Sequence, residues 1–138
     1  MIISNVSKLV EGKKLPKITP ISTVKNACKM MAEYNSRALV VLNKKQLVGV
    51  ISERDVVRKC VAKGLDVRET KVADIMTSEI QVVNAGDGLA RAIEIMQQGK
   101  FHQVPVIDGE NILGLISSDD IPDEYRMLLE RFKEMKKA

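Results

Sequence analysis

The sequence predicts an α+β chain built from two copies of one supersecondary unit, each running strand, helix, strand, strand, helix. Three observations predict it. The first is an internal repeat at an offset of 65 residues, which lays Leu47-Val48-Gly49-Val50-Ile51-Ser52-Glu53-Arg54-Asp55-Val56 on Ile112-Leu113-Gly114-Leu115-Ile116-Ser117-Ser118-Asp119-Asp120-Ile121. The second is that the match runs backward without a gap. Leu39-Val40-Val41-Leu42 meets Val104-Pro105-Val106-Ile107, Ala27 and Met31 meet Ala92 and Met96, Val24 meets Leu89, and Ile18 meets Val83. At an offset of 66, Val6-Ser7-Lys8-Leu9-Val10 resembles Val72-Ala73-Asp74-Ile75-Met76. The third is composition: 138 residues, 45% hydrophobic and 29% charged, suit a soluble globular chain that needs neither disulfides nor a metal to hold a core. The repeat divides the chain into residues 1–70 and residues 71–138, the second part carrying an additional C-terminal helix.

Each element follows from local pattern. Residues 17–19 and 81–83 are short extended segments, and Pro20 ends the first. Residues 23–35 and 88–98 carry apolar side chains at helical spacing. Residues 38–42 and 103–107 are compact Val-rich runs and predict strands. Asn43-Lys44-Lys45-Gln46 and Asp108-Gly109-Glu110-Asn111 have turn composition, so residues 47–51 and 112–116 return as paired strands. Ser52 and Ser117 then open further helices. Gly64 is expected to close the first of them. From Asp123 onward, Tyr125, Leu128, Leu129, Phe132 and Met135 form one stripe of an amphipathic helix, which needs either the chain's own core or a second subunit to cover it.

Composition also excludes. The longest apolar run, residues 38–42, is far short of the roughly 20 residues of a spanning helix, so no membrane segment is expected. The opening Met1-Ile2-Ile3-Ser4-Asn5 lacks the basic and apolar regions of a signal peptide, so a cytoplasmic chain is expected. A net charge of +4 permits anionic partners without demanding nucleic acid. Four aromatics, Tyr34, Phe101, Tyr125 and Phe132, are too few for a base-stacking platform. Two cysteines, Cys28 and Cys60, and one histidine, His102, offer no zinc spacing. Both cysteines fall in apolar helical patterns and read as small core residues.

The chemistry concentrates in a motif present twice: Gly, two apolar residues, Ser, two residues, Asp. A serine followed three residues later by a carboxylate is a helix-capping pattern, and a glycine in a strand marks close approach of another backbone. The same geometry suits a nucleotide. A helix start attracts anions, a hydroxyl bonds phosphate or sugar, and an ionised carboxylate accepts from both hydroxyls of a ribose. Its duplication points to two related pockets about a pseudo-two-fold axis.

The repeated unit, with Val104-Pro105-Val106-Ile107-Asp108, Gly49-Val50-Ile51-Ser52-Glu53-Arg54-Asp55 and Val72-Ala73-Asp74-Ile75-Met76-Thr77, resembles the CBS domain, and the chain resembles a stand-alone tandem pair, or Bateman module, over residues 5–122. The resemblance implies two repeats packed about a pseudo-two-fold axis, dimerisation into a flat disk, and clefts that bind AMP, ADP, ATP or S-adenosylmethionine as regulatory ligands rather than cofactors. It implies a role exerted through a protein partner that the sequence does not name. Carried over residue by residue, Asp55 and Asp120 match ribose-binding positions, and Ser52 and Ser117 match hydroxyls near phosphate and ribose. Thr19 and Pro20, with their counterparts Asn84 and Ala85, match the segment lining the base. Ser36 and Arg37, and Phe101 and His102, match positions that touch the base through backbone. Their side chains reach phosphate in the opposite copy's pocket in some members, so that His102 would serve the pocket of Asp55, and Arg37 that of Asp120.

The copies differ. Arg54 stands beside Asp55, where it could pair with phosphate or remain a solvated surface charge; Asp119 stands in its place beside Asp120 and would repel phosphate. Gly86 and Gly88 loosen the second copy's helix start. Unequal pockets are expected, with that of Asp55 the better anion site. No nucleophile–base pair, metal cluster or P-loop is evident, so no enzyme is expected. The rival is an adaptor without a small-molecule ligand, binding protein or nucleic acid through the basic stretches at residues 8–17 and 131–137, whose bland alternative is a solvated charged face.

Overall fold

The computed structural model describes residues 5–99, 101–125, 127, 130 and 131. In order, these residues form α1 (Ser7–Val10), β1 (Lys17–Ile18), α2 (Val24–Tyr34), β2 (Ala38–Asn43), β3 (Gln46–Ser52), and α3 (Glu53–Asp55), which runs on into a π-helical turn at Val56–Val61. There follow α4 (Val72–Ile75), β4 (Val83–Asn84), α5 (Leu89–Gly99), β5 (Gln103–Asp108), β6 (Asn111–Ser117) and a 3-10 turn at Ser118–Asp120. The fold is α+β, with two three-stranded sheets ordered β1-β2-β3 and β4-β5-β6.

The sheets are built alike. β1 lies parallel to β2, pairing Ile18 with Val41, and β4 lies parallel to β5, pairing Val83 with Val106. The hairpins β2–β3 and β5–β6 are antiparallel and close on two-residue loops, with Asn43 opposite Gln46 and Asp108 opposite Asn111. Each carries a bulge at the same place. Val48 is extra between the Leu42–Leu47 and Val41–Gly49 pairs, and Leu113 between the Ile107–Ile112 and Val106–Gly114 pairs. The long helices cover these sheets for the reason their periodicity gave. Thr23 accepts the Asn26 N–H at 3.1 Å to cap α2, Val24, Ala27 and Met31 bury one face, and Asn35 ends the helix at φ 52°. Helix α5 buries Leu89, Ala92, Ile93 and Ile95.

The two compact units are not the two contiguous halves of the chain. One is formed by residues 12–80, and the other by the described residues up to Glu11 together with those from Gln81 onward. The short helix that opens each repeat in sequence therefore packs with the other repeat. Val6 and Val10 of the N-terminal segment are buried with Val83, Ile95, Val104, Val106 and Ile116. Val72 and Ile75 are buried with Val24, Leu39, Val41 and Ile51. Equivalent backbone bonds fix both exchanges: Val72 N–H donates to Ser22 O at 2.8 Å, and Val6 N–H to Asp87 O at 2.9 Å.

Three local expectations are corrected. No α-helix begins at Ser117: the turn at Ser118–Asp120 stops at Ile121 (φ −85°, ψ 122°), because Pro122 disfavours a helical residue before it. Helical backbone resumes at Asp123, Glu124 and Tyr125. Cys28 is exposed, while Cys60 is buried as expected. The buried face of α2 is narrow, and Cys28 lies one residue, about 100° of helical turn, beyond Ala27. The helix after β3 winds as π over Val56–Val61, and Gly64 in the turn beyond it has the φ of +71° that its expected closing role needs. Of the C-terminal stripe, Tyr125 packs beside Leu89, Ile93 and Ile121; Leu128, Leu129, Phe132 and Met135 lie outside the described residues.

Candidate functional site

In the unit of residues 12–80, the site begins where β2 starts and β3 ends. Ala38 pairs with Ser52 across the sheet. The Arg37 carbonyl accepts the Glu53 N–H at 2.9 Å, tying the strand start to the first turn of α3. Ser36 turns its hydroxyl to the Ala38 carbonyl at 2.7 Å. Ser36, Arg37, Ser52 and Asp55 are thus held at one end of one sheet, and Arg54 follows on the exposed side of α3. Thr19 and Pro20 follow β1 and lie level with the far end of β2, about 13–17 Å further along at the usual strand rise. Thr19 Oγ1 lies 2.8 Å from Ser22 Oγ, and the Pro20 carbonyl accepts the Ala73 N–H at 3.0 Å.

The buried Asp55 is the centre of this arrangement. Its Oδ2 accepts the Ser52 N–H at 3.0 Å and the Ser52 hydroxyl at 3.1 Å. The Asp55 N–H lies 3.2 Å from Ser52 Oγ, which completes a reciprocal capping box. Its Oδ1 accepts the Thr77 hydroxyl at 3.1 Å and pairs with Lys59 Nζ at 2.9 Å. Lys59 Nζ also reaches Thr77 Oγ1 at 3.4 Å, closing a three-membered polar cluster. Lys59 stands one helical turn after Asp55, the favourable order for an acid–base pair. Thr77 is delivered by backbone: Val50 and Thr77 exchange both N–H···O bonds at 2.9 Å, two residues before Ser52.

Gly49 makes that delivery possible. A Cβ there would stand 2.8 Å from Met76 Sδ and 2.9 Å from the Thr77 carbonyl. The second unit repeats the device, since a Cβ on Gly114 would collide with Val10 Cβ. Val10 is Met76's counterpart in the 66-residue match. The glycine of the motif is thus explained by close approach of the exchanged segment.

The second unit places its candidates equivalently. Gln103 pairs with Ser117, and the His102 carbonyl accepts the Ser118 N–H at 2.8 Å. Asp120 Oδ2 accepts the Ser117 N–H at 2.7 Å, and the Asp119 N–H lies 3.4 Å from Ser117 Oγ. The Asn84 N–H donates to Asp87 Oδ2 at 2.8 Å, and the Ala85 N–H to the Ile107 carbonyl at 2.8 Å. Ala85 and Phe101 pack against the core of this unit, and His102 is exposed.

Lys59 and Thr77 were not among the residues the motif singled out. Lysine at one helical turn after Asp55 was a visible signal for the first; the second is brought in by backbone pairing with Val50. Among the described residues, no group of three metal-ligating side chains is present, and no helix is long and apolar enough to cross a membrane. The thiol of the exposed Cys28 is held above its ordinary value, chiefly by partial desolvation and next by the Cys60 thiol.

The family model for the CBS domain matches residues 6–62 and again residues 72–125. The chain belongs to the CBS domain family. This CBS pair is 34% identical over 122 residues to the mitochondrial CBS domain-containing protein CBSX3 of Arabidopsis thaliana, covering 82% of the chain but only 59% of that relative's length. Among solved structures, it resembles CBS domain protein PAE2072 from Pyrobaculum aerophilum complexed with AMP (28% identity, TM-score 0.78, covering 91% of this chain and 96% of that one). It also resembles the hexameric CBS-CP12 protein from bloom-forming cyanobacteria (29% identity, TM-score 0.77, covering 88% and 67%).

Proposed function

We propose that this CBS pair is an adenine-nucleotide-binding regulatory module that acts on a protein partner. The observation that carries the reading is the duplicated arrangement of a serine and an aspartate in the turn that follows the last strand, beside the start of the neighbouring strand. It recurs in two units of the same build. In support, a protein of the same fold, PAE2072, is complexed with AMP. Asp55 and Asp120 would accept from ribose hydroxyls, and Ser52 and Ser117 would bond sugar or phosphate. Thr19 with Pro20, and Asn84 with Ala85, would line the base. Arg37, Arg54 and His102 would meet phosphate, and Ser36 and Phe101 would border the base. We further propose a homodimer and a cytoplasmic, non-catalytic role.

One observation favours a second reading. The oxygens of Asp55 are already engaged within the protein, as they would be in an adaptor whose capping boxes serve only the fold. Calorimetric titration with AMP, ATP and S-adenosylmethionine separates the two, on the natural chain and on Asp55→Ala and Asp120→Ala. Binding that weakens in either variant, with the circular dichroism spectrum retained, supports the nucleotide reading. No heat with any of the three ligands refutes it in favour of the adaptor.

A further inference from the structure

We propose that Lys59 makes the first unit select phosphate-bearing adenosine ligands over neutral or cationic ones; the inference rests on the nucleotide-binding reading above. Asp55 takes two donors on Oδ2, both from Ser52, and two on Oδ1, from Lys59 Nζ at 2.9 Å and Thr77 Oγ1 at 3.1 Å. A carboxylate has about four acceptor positions, so this one is saturated. The Ser52 bonds hold the start of α3 and stay with the fold. A ribose diol must therefore displace Lys59 and Thr77 from Oδ1.

The two displaced groups lose different things. Thr77 is neutral, and its hydroxyl can turn. Lys59 is a cation that gives up its carboxylate. Its side chain is 41% exposed, so it can swing away on its flexible stem without unpacking the core. It then needs another anion. A ligand phosphate supplies one, and the ion pair is exchanged rather than broken. A neutral nucleoside supplies none, and a sulfonium ligand brings a second cation to the same place. The cost of breaking an ion pair thus falls on ligands without phosphate.

The second unit lacks both residues at the matched positions. In the two repeat matches, Glu124 stands where the first unit has Lys59, and Glu11 where it has Thr77. At these two matched positions the first unit therefore carries a base and a hydroxyl, and the second two acids. This gives the expected inequality of the pockets a cause separate from Arg54 and Asp119.

The test is calorimetric titration of the full chain with AMP, adenosine and S-adenosylmethionine in an Asp120→Ala background, with and without Lys59→Met. Thermal melts followed by circular dichroism confirm folding. Lys59→Met is expected to lower the ratio of AMP to adenosine affinity about tenfold, the weight of one charged contact, as AMP binding weakens and adenosine binding strengthens. Lys59→Arg is expected to restore the preference. Thr77→Val is expected to change both affinities together and leave the ratio within about twofold. Lys59→Gln replaces Lys59→Met if the latter does not fold. An unchanged ratio in the neutral variants, with AMP binding still dependent on Asp55, overturns the inference and leaves the nucleotide reading standing. Absence of binding by all three ligands overturns both.

Discussion

At the scale of the residue, Asp55 does two jobs. It caps α3 through Ser52, and it neutralises Lys59 while accepting from Thr77. Losing the side chain removes the cap, about 1 kcal/mol on its own, and leaves Lys59 without its carboxylate. Asp55→Ala is therefore expected to lower unfolding stability by about 2 kcal/mol. Urea denaturation of the natural chain and of the variant checks the loss. Asp55→Asn should fall between, because an amide oxygen can keep one of the Ser52 bonds. The cysteines carry a second expectation. The Cys28 thiol, exposed yet held above the ordinary thiol value, should react slowly with a disulfide reagent at neutral pH, since the thiolate is the nucleophile. Its rate should climb only as pH passes above that ordinary value. A neutral-pH rate equal to that of a free peptide thiol would contradict the placement. Ser52, Asp55, Ser117 and Asp120 were legible in the sequence because the motif is short-range and repeated. Lys59 was legible only in principle, and Thr77, 22 residues away, became a partner through backbone pairing that no local pattern announces.

At the scale of the element, the hairpins show why the strands were readable and their details were not. Period and Val-rich composition marked β2, β3, β5 and β6 to within a residue or so at each end, since burial on a sheet demands them. The bulges at Val48 and Leu113 were invisible, because they arise where each strand must admit the exchanged segment beside Gly49 or Gly114. The missing helix after Ser117 could have been read from Pro122, whose effect on Ile121 is local. The loop of β2–β3 carries a testable strain. Lys44 and Lys45 adopt φ of 49° and 70°, left-handed values that suit Asn and Gly, whereas the second hairpin uses Gly109 at 62°. Replacing the pair by Lys44→Asn and Lys45→Gly should stabilise the chain by about 1 kcal/mol, visible as a raised urea midpoint with an unchanged slope. The opposite sign is expected for Gly114→Ala. Its new methyl would press on Val10 Cβ, and overpacking of this kind costs about 1–3 kcal/mol.

At the scale of the whole molecule, the repeat in the sequence and the compact units in space are different divisions. The offset was visible because both copies bury the same apolar positions, but the exchange was not, because Val6–Val10 and Val72–Met76 look alike and either could serve either repeat. What decides the pairing is tertiary: Val6 and Val10 are buried with the sheet of β4, β5 and β6, and Val72 and Ile75 with that of β1, β2 and β3. The division makes a prediction that a contiguous one does not. Val6→Ala and Val10→Ala each remove buried methyl groups, and should raise amide hydrogen exchange in β5, β6 and α5 before β2 and β3 are affected. Val72→Ala and Ile75→Ala should do the reverse. Under a contiguous division the two pairs of substitutions would exchange their effects. The same crossing bears on regulation. The segment that delivers Thr77 to Asp55 belongs in sequence to the second repeat, yet it completes the polar cluster of the first unit. A ligand that displaces Thr77 from Asp55 therefore acts on residues 72–77, the stretch of chain leading directly into β4. Exchange at Val50 and Thr77, whose mutual backbone bonds hold that segment, should increase when AMP binds if displacement loosens the bridge. Unchanged protection there would mean that the hydroxyl turns while the backbone stays in place.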